Sequence, residues 1–264
     1  MAEAMDITTL NRFMDLADDM ADAAGEVLSH YFRTPLRVDS KGDESPVTKA
    51  DRDAEIAMRV LIEDAYPDHG ILGEEFDPVN TGSEYTWVLD PIDGTKSFIT
   101  GKPLFGTLVA LAREGRPILG LINQPILGER WRGMDGRPSS FNGEPTRVRP
   151  CPELGSAILY ATTPQMFKGA DAEAFARITD RVQHALYGGD CYAYGLLASG
   201  HADLVVESSL KPFDYAALVP VVEGAGGIIT DWGGEPLTLA SDGRVVAAGD
   251  PAIHAQALDL LRGA

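Results

Sequence analysis

Near the start of the chain Leu10, Phe13, Met14, Ala17, Met20, Ala21, Ala24, Val27, Leu28 and Tyr31 recur at the period of a helix. The spacing predicts a long amphipathic helix, capped by Thr8 or Thr9 and closed by Pro35. Val38 to Pro46, with Lys41, Gly42, Asp43 and Glu44, breaks the pattern and reads as an exposed loop able to move. The helical period returns at Ile56, Ala57, Val60, Leu61 and Ala65 and stops at Pro67, while Thr48 and Asp51 ahead of it have the spacing of a capping box. Ile71-Leu72-Gly73 is then a short apolar run that delivers Glu74 and Glu75, and Asp77 to Glu84 is a turn-rich connection. Tyr85 to Leu89 is a β-forming run. Leu104 to Ala112 and Ile118 to Asn123 predict a hairpin over Glu114-Gly115. A run near Glu129 to Gly133 and an Asn142-Gly143 turn extend an antiparallel sheet.

Arg147 to Gly155, with two prolines, a cysteine and a glycine, marks a boundary between halves 1–150 and 151–264, packed as one catalytic unit. Beyond it strands and helices alternate with short links, an α/β pattern. Strands are predicted at Ala157 to Ala161, Ala202 to Glu207, Gly227 to Thr230 and Val245 to Ala248. Helices are predicted at Asp171 to Ala185, Asp190 or Cys191 to Ser199, Asp214 to Gly224 and Pro251 to Leu261.

With 264 residues, 44% of them hydrophobic, the chain can bury a substantial core. Forty acids against 22 Lys and Arg give a formal charge of −18, which leaves no basic field for nucleic acid. An acidic protein that handles phosphate must offer backbone donors or import positive charge as metal ions. Cys151 and Cys191 make no disulfide framework, the acidic start lacks a signal-type apolar core, and no apolar run approaches the ~20 residues of a membrane span. The expectation is a soluble cytoplasmic protein with no membrane partner.

The chemistry centres on Trp87-Val88-Leu89-Asp90-Pro91-Ile92-Asp93-Gly94-Thr95. A strand runs into two carboxylates around a proline and then into Gly-Thr, where a following helix would begin. Asp90 and Asp93 can converge on one point, where they repel unless a cation sits between them, and hard divalent ions take such oxygen ligands. Glu74, Asp51 and Asp214 also stand at element edges. Each alone reads as a cap or turn acid. Together they can supply oxygens for two or three Mg²⁺ ions, with the Ile92 carbonyl added, and such ions polarise phosphoryl oxygens and activate water. Other motifs fail: Gly94 to Lys102 is not a phosphate-binding P-loop, Gly224-Ala225-Gly226-Gly227 is too short for a dinucleotide fingerprint, and the five histidines lack ligand spacing.

Gly73-Glu74-Glu75, Trp87 to Thr95 and the segment around Asp214, in that order, resemble the inositol monophosphatase superfamily over essentially the whole chain. The resemblance implies a layered α-β-α-β-α sandwich and a lithium-sensitive, Mg²⁺-dependent phosphatase in which Mn²⁺ can substitute. By motif position it implies Glu74, Asp90, the Ile92 carbonyl, Asp93 and Asp214 as metal ligands, with Asp51 serving a further ion. It implies Asp51, Thr95 and Glu74 as catalytic groups that align and activate the attacking water. Backbone N–H groups of Gly94 and Thr95 would hold the phosphate, and Lys41 would lie in a loop that closes over the site. It also implies a homodimer.

The second half points to one branch. Gly188-Gly189-Asp190-Cys191 puts an acid where inositol phosphatases usually carry a small neutral residue, and the segment before Asp214 reads Lys211-Pro212-Phe213 rather than ending in Trp. Asp190 and Glu207, with Asp93, Gly94, Thr95, Gly189 and Asp214, would form the substrate side. An ammonium or imidazolium gains charge-assisted bonds from such acids, whereas a polyol does not. Tyr187 to Asp214 is similar to the histidinol-phosphate phosphatases, which implies hydrolysis of L-histidinol phosphate in histidine synthesis. Asp190 can also be read as a helix cap. The alternatives are an inositol-1-phosphatase or broad sugar-phosphate phosphatase, and a regulatory protein on the same scaffold.

Overall fold

The long apolar stripe forms α1 (Ile7–Tyr31) and buries Leu10, Phe13, Ala17, Met20, Ala24 and Leu28. In this computed structural model residues 6–35, 38–40 and 46–263 are described. Asp6, not Thr8 or Thr9, holds the cap position of α1, and its carbonyl takes the Thr9 and Leu10 N–H groups. Val38 to Pro46 was expected as an open loop, yet its ends pair antiparallel as β1 (Val38–Ser40) and β2 (Pro46–Thr48). Val38, Val47 and Thr48 are β-branched and favour that extended backbone. Lys41 lies outside the described residues. The capping box is present at the head of α2 (Lys49–Ala65), with Thr48 and Asp51 bonded reciprocally.

Next come β3 (Gly70–Gly73), β4 (Tyr85–Asp93), α3 (Thr95–Ile99), β5 (Gly106–Arg113), β6 (Arg116–Gln124), β7 (Glu129–Met134), β8 (Ser140–Phe141) and β9 (Glu144–Pro145). They build a seven-stranded sheet in sequential order, antiparallel except for the parallel pair β3–β4. Both predicted hairpin turns form, with positive φ at Glu114 and Gly115 and at Asn142 and Gly143.

The remainder is β10 (Ile158–Ala161), α4 (Ala170–Thr179), β11 (His184–Tyr187), α5 (Cys191–Ala198), β12 (Leu204–Glu207), α6 (Pro212–Tyr215), α7 (Leu218–Gly224), β13 (Ile228–Thr230), β14 (Val245–Ala248) and α8 (Pro251–Arg262). Its strands form a second sheet, ordered β11-β10-β12-β14-β13. The helix expected from Asp171 to Ala185 ends at Thr179. The Gln183 N–H turns to the Ala157 carbonyl, and the following residues pair with β10 as a parallel edge strand. The helix expected from Asp214 starts at Pro212, whose fixed φ suits a first turn, and resumes as α7.

Alternation along the strands assigns the layers. Trp87, Leu89, Val109, Leu111, Leu119 and Leu121 face α1 and α2, while Val88, Leu108, Ala110 and Ile122 face α5 and α7. Val205, Val245 and Ala247 join that central layer, and Leu204, Val206, Val246 and Ala248 face α4 and α8. The architecture is an α-β-α-β-α sandwich. Sheets covered on both faces read as nearly continuous apolar runs, and each buried Leu or Val contributes about 1.5–3 kcal/mol. Close approach at the centre needs glycine: a Cβ on Gly120 would stand 1.9 Å from the Ala217 carbonyl oxygen. The chain just beyond Asp214 is thereby seated on β6.

Candidate active site

The site forms where β3 and β4 end. Because the two strands are parallel, both finish at the same edge, with Gly73 opposite Leu89 and the Glu74 N–H on the Leu89 carbonyl at 3.2 Å. Glu74 thus lies beside Asp90. Residues three apart on a regular strand face opposite sides. Between Asp90 and Asp93 the pairing register shifts, Asp90 opposing Leu108 and Asp93 opposing Gly106. This bulge turns both carboxylates to one side. Gly94 then takes φ 90°, and α3 starts at Thr95.

Asp90, Asp93 and Asp214 each bring one oxygen within 4.8 Å of the others. Asp90 is buried, while Asp93 and Asp214 are half-buried. Asp214 is the third residue of α6 and accepts the Lys211 N–H at 2.6 Å. Desolvation, and then the charges of Glu74, Asp93 and Asp214, push the Asp90 carboxyl well above its ordinary value. Desolvation, then Asp190 and Asp214, do the same to Asp93. Asp214 is pushed up to about 7, mainly by desolvation. Carboxylates so crowded are stable without protons only around a cation, and an all-oxygen set suits a hard divalent ion. The residues present fit Mg²⁺.

Asp51 stands one layer back. It is fully buried, its Oδ2 takes the Thr48 N–H at 2.8 Å and hydroxyl at 2.6 Å, and burial raises its carboxyl. Its Oδ1 faces the Thr95 hydroxyl at 3.5 Å, and that hydroxyl donates to the Ile92 carbonyl at 3.1 Å. Thr95 therefore bridges Asp51 to the elbow.

Asp190 adopts φ 45°, a strained conformation for a residue with a side chain, and Gly189 before it packs against Tyr160 and Ala193. Asp190 holds the cap position of α5 and its carbonyl takes the Ala193 N–H at 3.2 Å, but its side chain makes no capping bond, and the Cys191 N–H goes to the Asp93 carboxylate. The Asp190 carboxylate takes the Ser97 hydroxyl at 3.1 Å and covers Gly94, where an added Cβ would meet Oδ2 at 2.8 Å. Burial raises its carboxyl against opposing effects of Ser97, Thr162, Lys102 and Lys96. Asp190 thus adjoins Asp93 on one side and two lysines on the other. Glu207, expected on the substrate side, turns its carboxylate into the protein. It is 3% exposed, and its oxygens take the Thr162 N–H at 2.8 Å and the Tyr194 hydroxyl at 3.0 Å.

Several supporting groups were not foreseen. Ser97 lies in the first turn of α3, four residues beyond Asp93, and Glu55 and Arg59 continue the Asp51 stripe of α2 inward. Polar residues in phase with a buried stripe are the signal that could have found the latter pair. His69 and His254 have packing partners in Trp87 and Thr230, in keeping with histidines that are not ligands.

Residues 10–263 match the family model described as the inositol monophosphatase family. The chain belongs to that family. Phosphatases of this family are metal-dependent, typically on Mg²⁺, and act on small phosphorylated substrates. The chain is 54% identical over 263 residues to the chloroplastic bifunctional phosphatase IMPL2 of Arabidopsis thaliana, covering 96% of this chain and 76% of that one. It is 38% identical to a histidinol-phosphatase of Chlorobaculum parvum, covering 89% and 91%. Among solved structures, an inositol monophosphatase from Zymomonas mobilis superposes with a TM-score of 0.88 at 50% identity, covering 96% and 98%. No helix among the described residues is long and apolar enough to cross a membrane.

Proposed function

We propose that this family member is a Mg²⁺-dependent histidinol-phosphatase, hydrolysing L-histidinol phosphate to L-histidinol and phosphate. The observation that carries the substrate choice is Asp190, a strained, mostly desolvated carboxylate directly over Gly94 and beside Asp93. Histidinol-phosphatases from Chlorobaculum parvum and Mycobacterium tuberculosis among its relatives support the same choice.

In this account Glu74, Asp90, Asp93, Asp214 and the Ile92 carbonyl hold the divalent ions, with Asp51 in reach of a further one. Bound there, the ions supply Lewis-acid polarisation of the phosphoryl oxygens and lower the pKa of water. Thr95, held by Asp51 and the Ile92 carbonyl, orients the attacking water, and Asp51 and Glu74 are the acceptors that draw its proton away. Backbone N–H groups of Gly94 and Thr95 receive the phosphoryl oxygens, and donors already aimed at that position need no reorganisation as charge develops. Asp190 and Asp93 accept from the cationic end of the substrate, while Gly189, which packs against Tyr160 and Ala193, lets the turn that presents Asp190 lie close to them. Glu207 acts from beneath, by fixing Thr162 and Tyr194.

The test is Asp190→Asn, which keeps the shape and an acceptor for Ser97 while removing the charge. KM for L-histidinol phosphate should rise ~10-fold or more, with KM for a neutral polyol phosphate far less affected. An unchanged KM for histidinol phosphate would remove Asp190 from recognition. The name bifunctional phosphatase of the Arabidopsis relative, together with an inositol monophosphatase of Solanum lycopersicum among the relatives, favours a second reading, in which the same site also hydrolyses an inositol phosphate.

A further inference from the structure

Beyond Gly73 the chain leaves the sheet, and two side chains of α2 take over its backbone groups. The Glu55 Oε2 accepts the Glu75 N–H at 2.8 Å, while Oε1 accepts from Arg59 Nε at 2.7 Å. Arg59 in turn donates to the Phe76 carbonyl at 3.1 Å and lies over the Phe76 ring, 5.7 Å from its centre. The Glu55 side chain is 0% exposed and that of Arg59 10%. Gly73 completes the clamp, because a Cβ there would stand 2.0 Å from Glu55 Oε1. Glu74 is thus held on both sides, by the Leu89 carbonyl before it and Glu55 after it.

Packing does not account for this pair. A buried ion pair is weak evidence for stability, since apolar residues of similar volume often serve as well. Glu55 also sits next to Glu74, whose charge and the burial both disfavour a second carboxylate there. What the pair supplies is a pair of fixed points on the backbone at Glu75 and Phe76. It lies one helical turn beyond Asp51 on the same helix, so α2 ties the Asp51–Thr95 side of the site to the Glu74 side.

We propose that Glu55, neutralised by Arg59, is a positioning residue that sets where the Glu74 carboxylate stands relative to Asp90 and Asp214. The inference rests on reading the acidic cluster as a divalent-ion site. Groups that orient ligands from behind typically change metal affinity 10–100-fold when removed.

The test is Mg²⁺ binding by titration calorimetry on the full chain without substrate, with near-ultraviolet circular dichroism and thermal unfolding of the metal-free protein alongside. Glu55→Ala should weaken Mg²⁺ by ~10-fold or more in protein that is still folded. Glu55→Gln, which keeps an acceptor for the Glu75 N–H, should recover most of that loss. Gly73→Ala, which drives the carboxylate off the backbone, should weaken Mg²⁺ in the same direction, and it decides the matter with Glu55→Gln if the alanine variant does not fold. Wild-type Mg²⁺ affinity in folded Glu55→Ala or Gly73→Ala would overturn the inference and leave the metal site standing. Failure of the wild-type protein to bind Mg²⁺ would overturn both.

Discussion

Glu207→Gln should stabilise the metal-free protein at high pH and leave it nearly unchanged at low pH. Burial raises the Glu207 carboxyl from the ordinary 4.5 to about 7, against hydrogen bonds from Thr162 and Tyr194. A carboxyl whose pKa is raised by folding holds its proton more tightly in the native state. Its contribution is complete below about pH 4.5 and is lost as the pH rises through about 7. At 1.36 kcal/mol for each tenfold change in protonation equilibrium, the loss by about pH 8 is about 3 kcal/mol. Glutamine keeps the volume and an acceptor for the Thr162 N–H and removes the charge, so most of that 3 kcal/mol should return at high pH. For a chain of this size the gain corresponds to about 6–10 °C in Tm. The assay is urea unfolding in EDTA at intervals from about pH 5 to pH 8. The two proteins should agree within about 1 kcal/mol at pH 5 and diverge steadily above it. A constant difference across the range, or a variant less stable at pH 8, would refute the placement of Glu207 as a buried proton-holding group.

Other outcomes follow from the site and the core. Asp93→Asn and Asp214→Asn should each abolish Mg²⁺-dependent phosphate release in folded protein, and wild-type turnover by either would sink the assignment of that residue as a ligand. Asp203 is fully buried, grips Arg149 through two bonds of 2.6 Å and takes the Ile158 N–H at 2.8 Å. Asp203→Ala should lower the unfolding free energy by about 3 kcal/mol. A loss below about 1 kcal/mol in chemical unfolding would show that these bonds are replaced by water.

Local chemistry was legible in the sequence wherever short-range geometry determines it. The Asp90-Pro91-Ile92-Asp93-Gly94-Thr95 elbow, the two hairpin turns and the Thr48–Asp51 capping box involve neighbours whose dihedral preferences suffice. Features set by distant partners were not legible. His184 and Ala185 fall at the end of the expected helix, but His184 to Tyr187 pairs with β10 as an edge strand, a tertiary contact that overrides propensity. Asp190 reads as a cap in sequence and holds that position with its backbone, yet the Cys191 N–H goes to Asp93 from the other half of the chain, and the Asp190 carboxylate turns to Ser97 and Gly94. Glu207 shares its strand with apolar residues and is drawn below the surface by Tyr194 and Thr162. The Glu55–Arg59 pair shows its function only when α2 meets the chain after Gly73.

The central claim is tested most directly by phosphate release from L-histidinol phosphate and myo-inositol 1-phosphate, side by side in Mg²⁺ and again in EDTA. The account predicts kcat/KM higher for histidinol phosphate by ~100-fold, about 2.7 kcal/mol of differential transition-state binding, and no release in EDTA. Equal or greater kcat/KM for the inositol ester would contradict the role given to Asp190, and turnover that persists in EDTA would contradict the metal site.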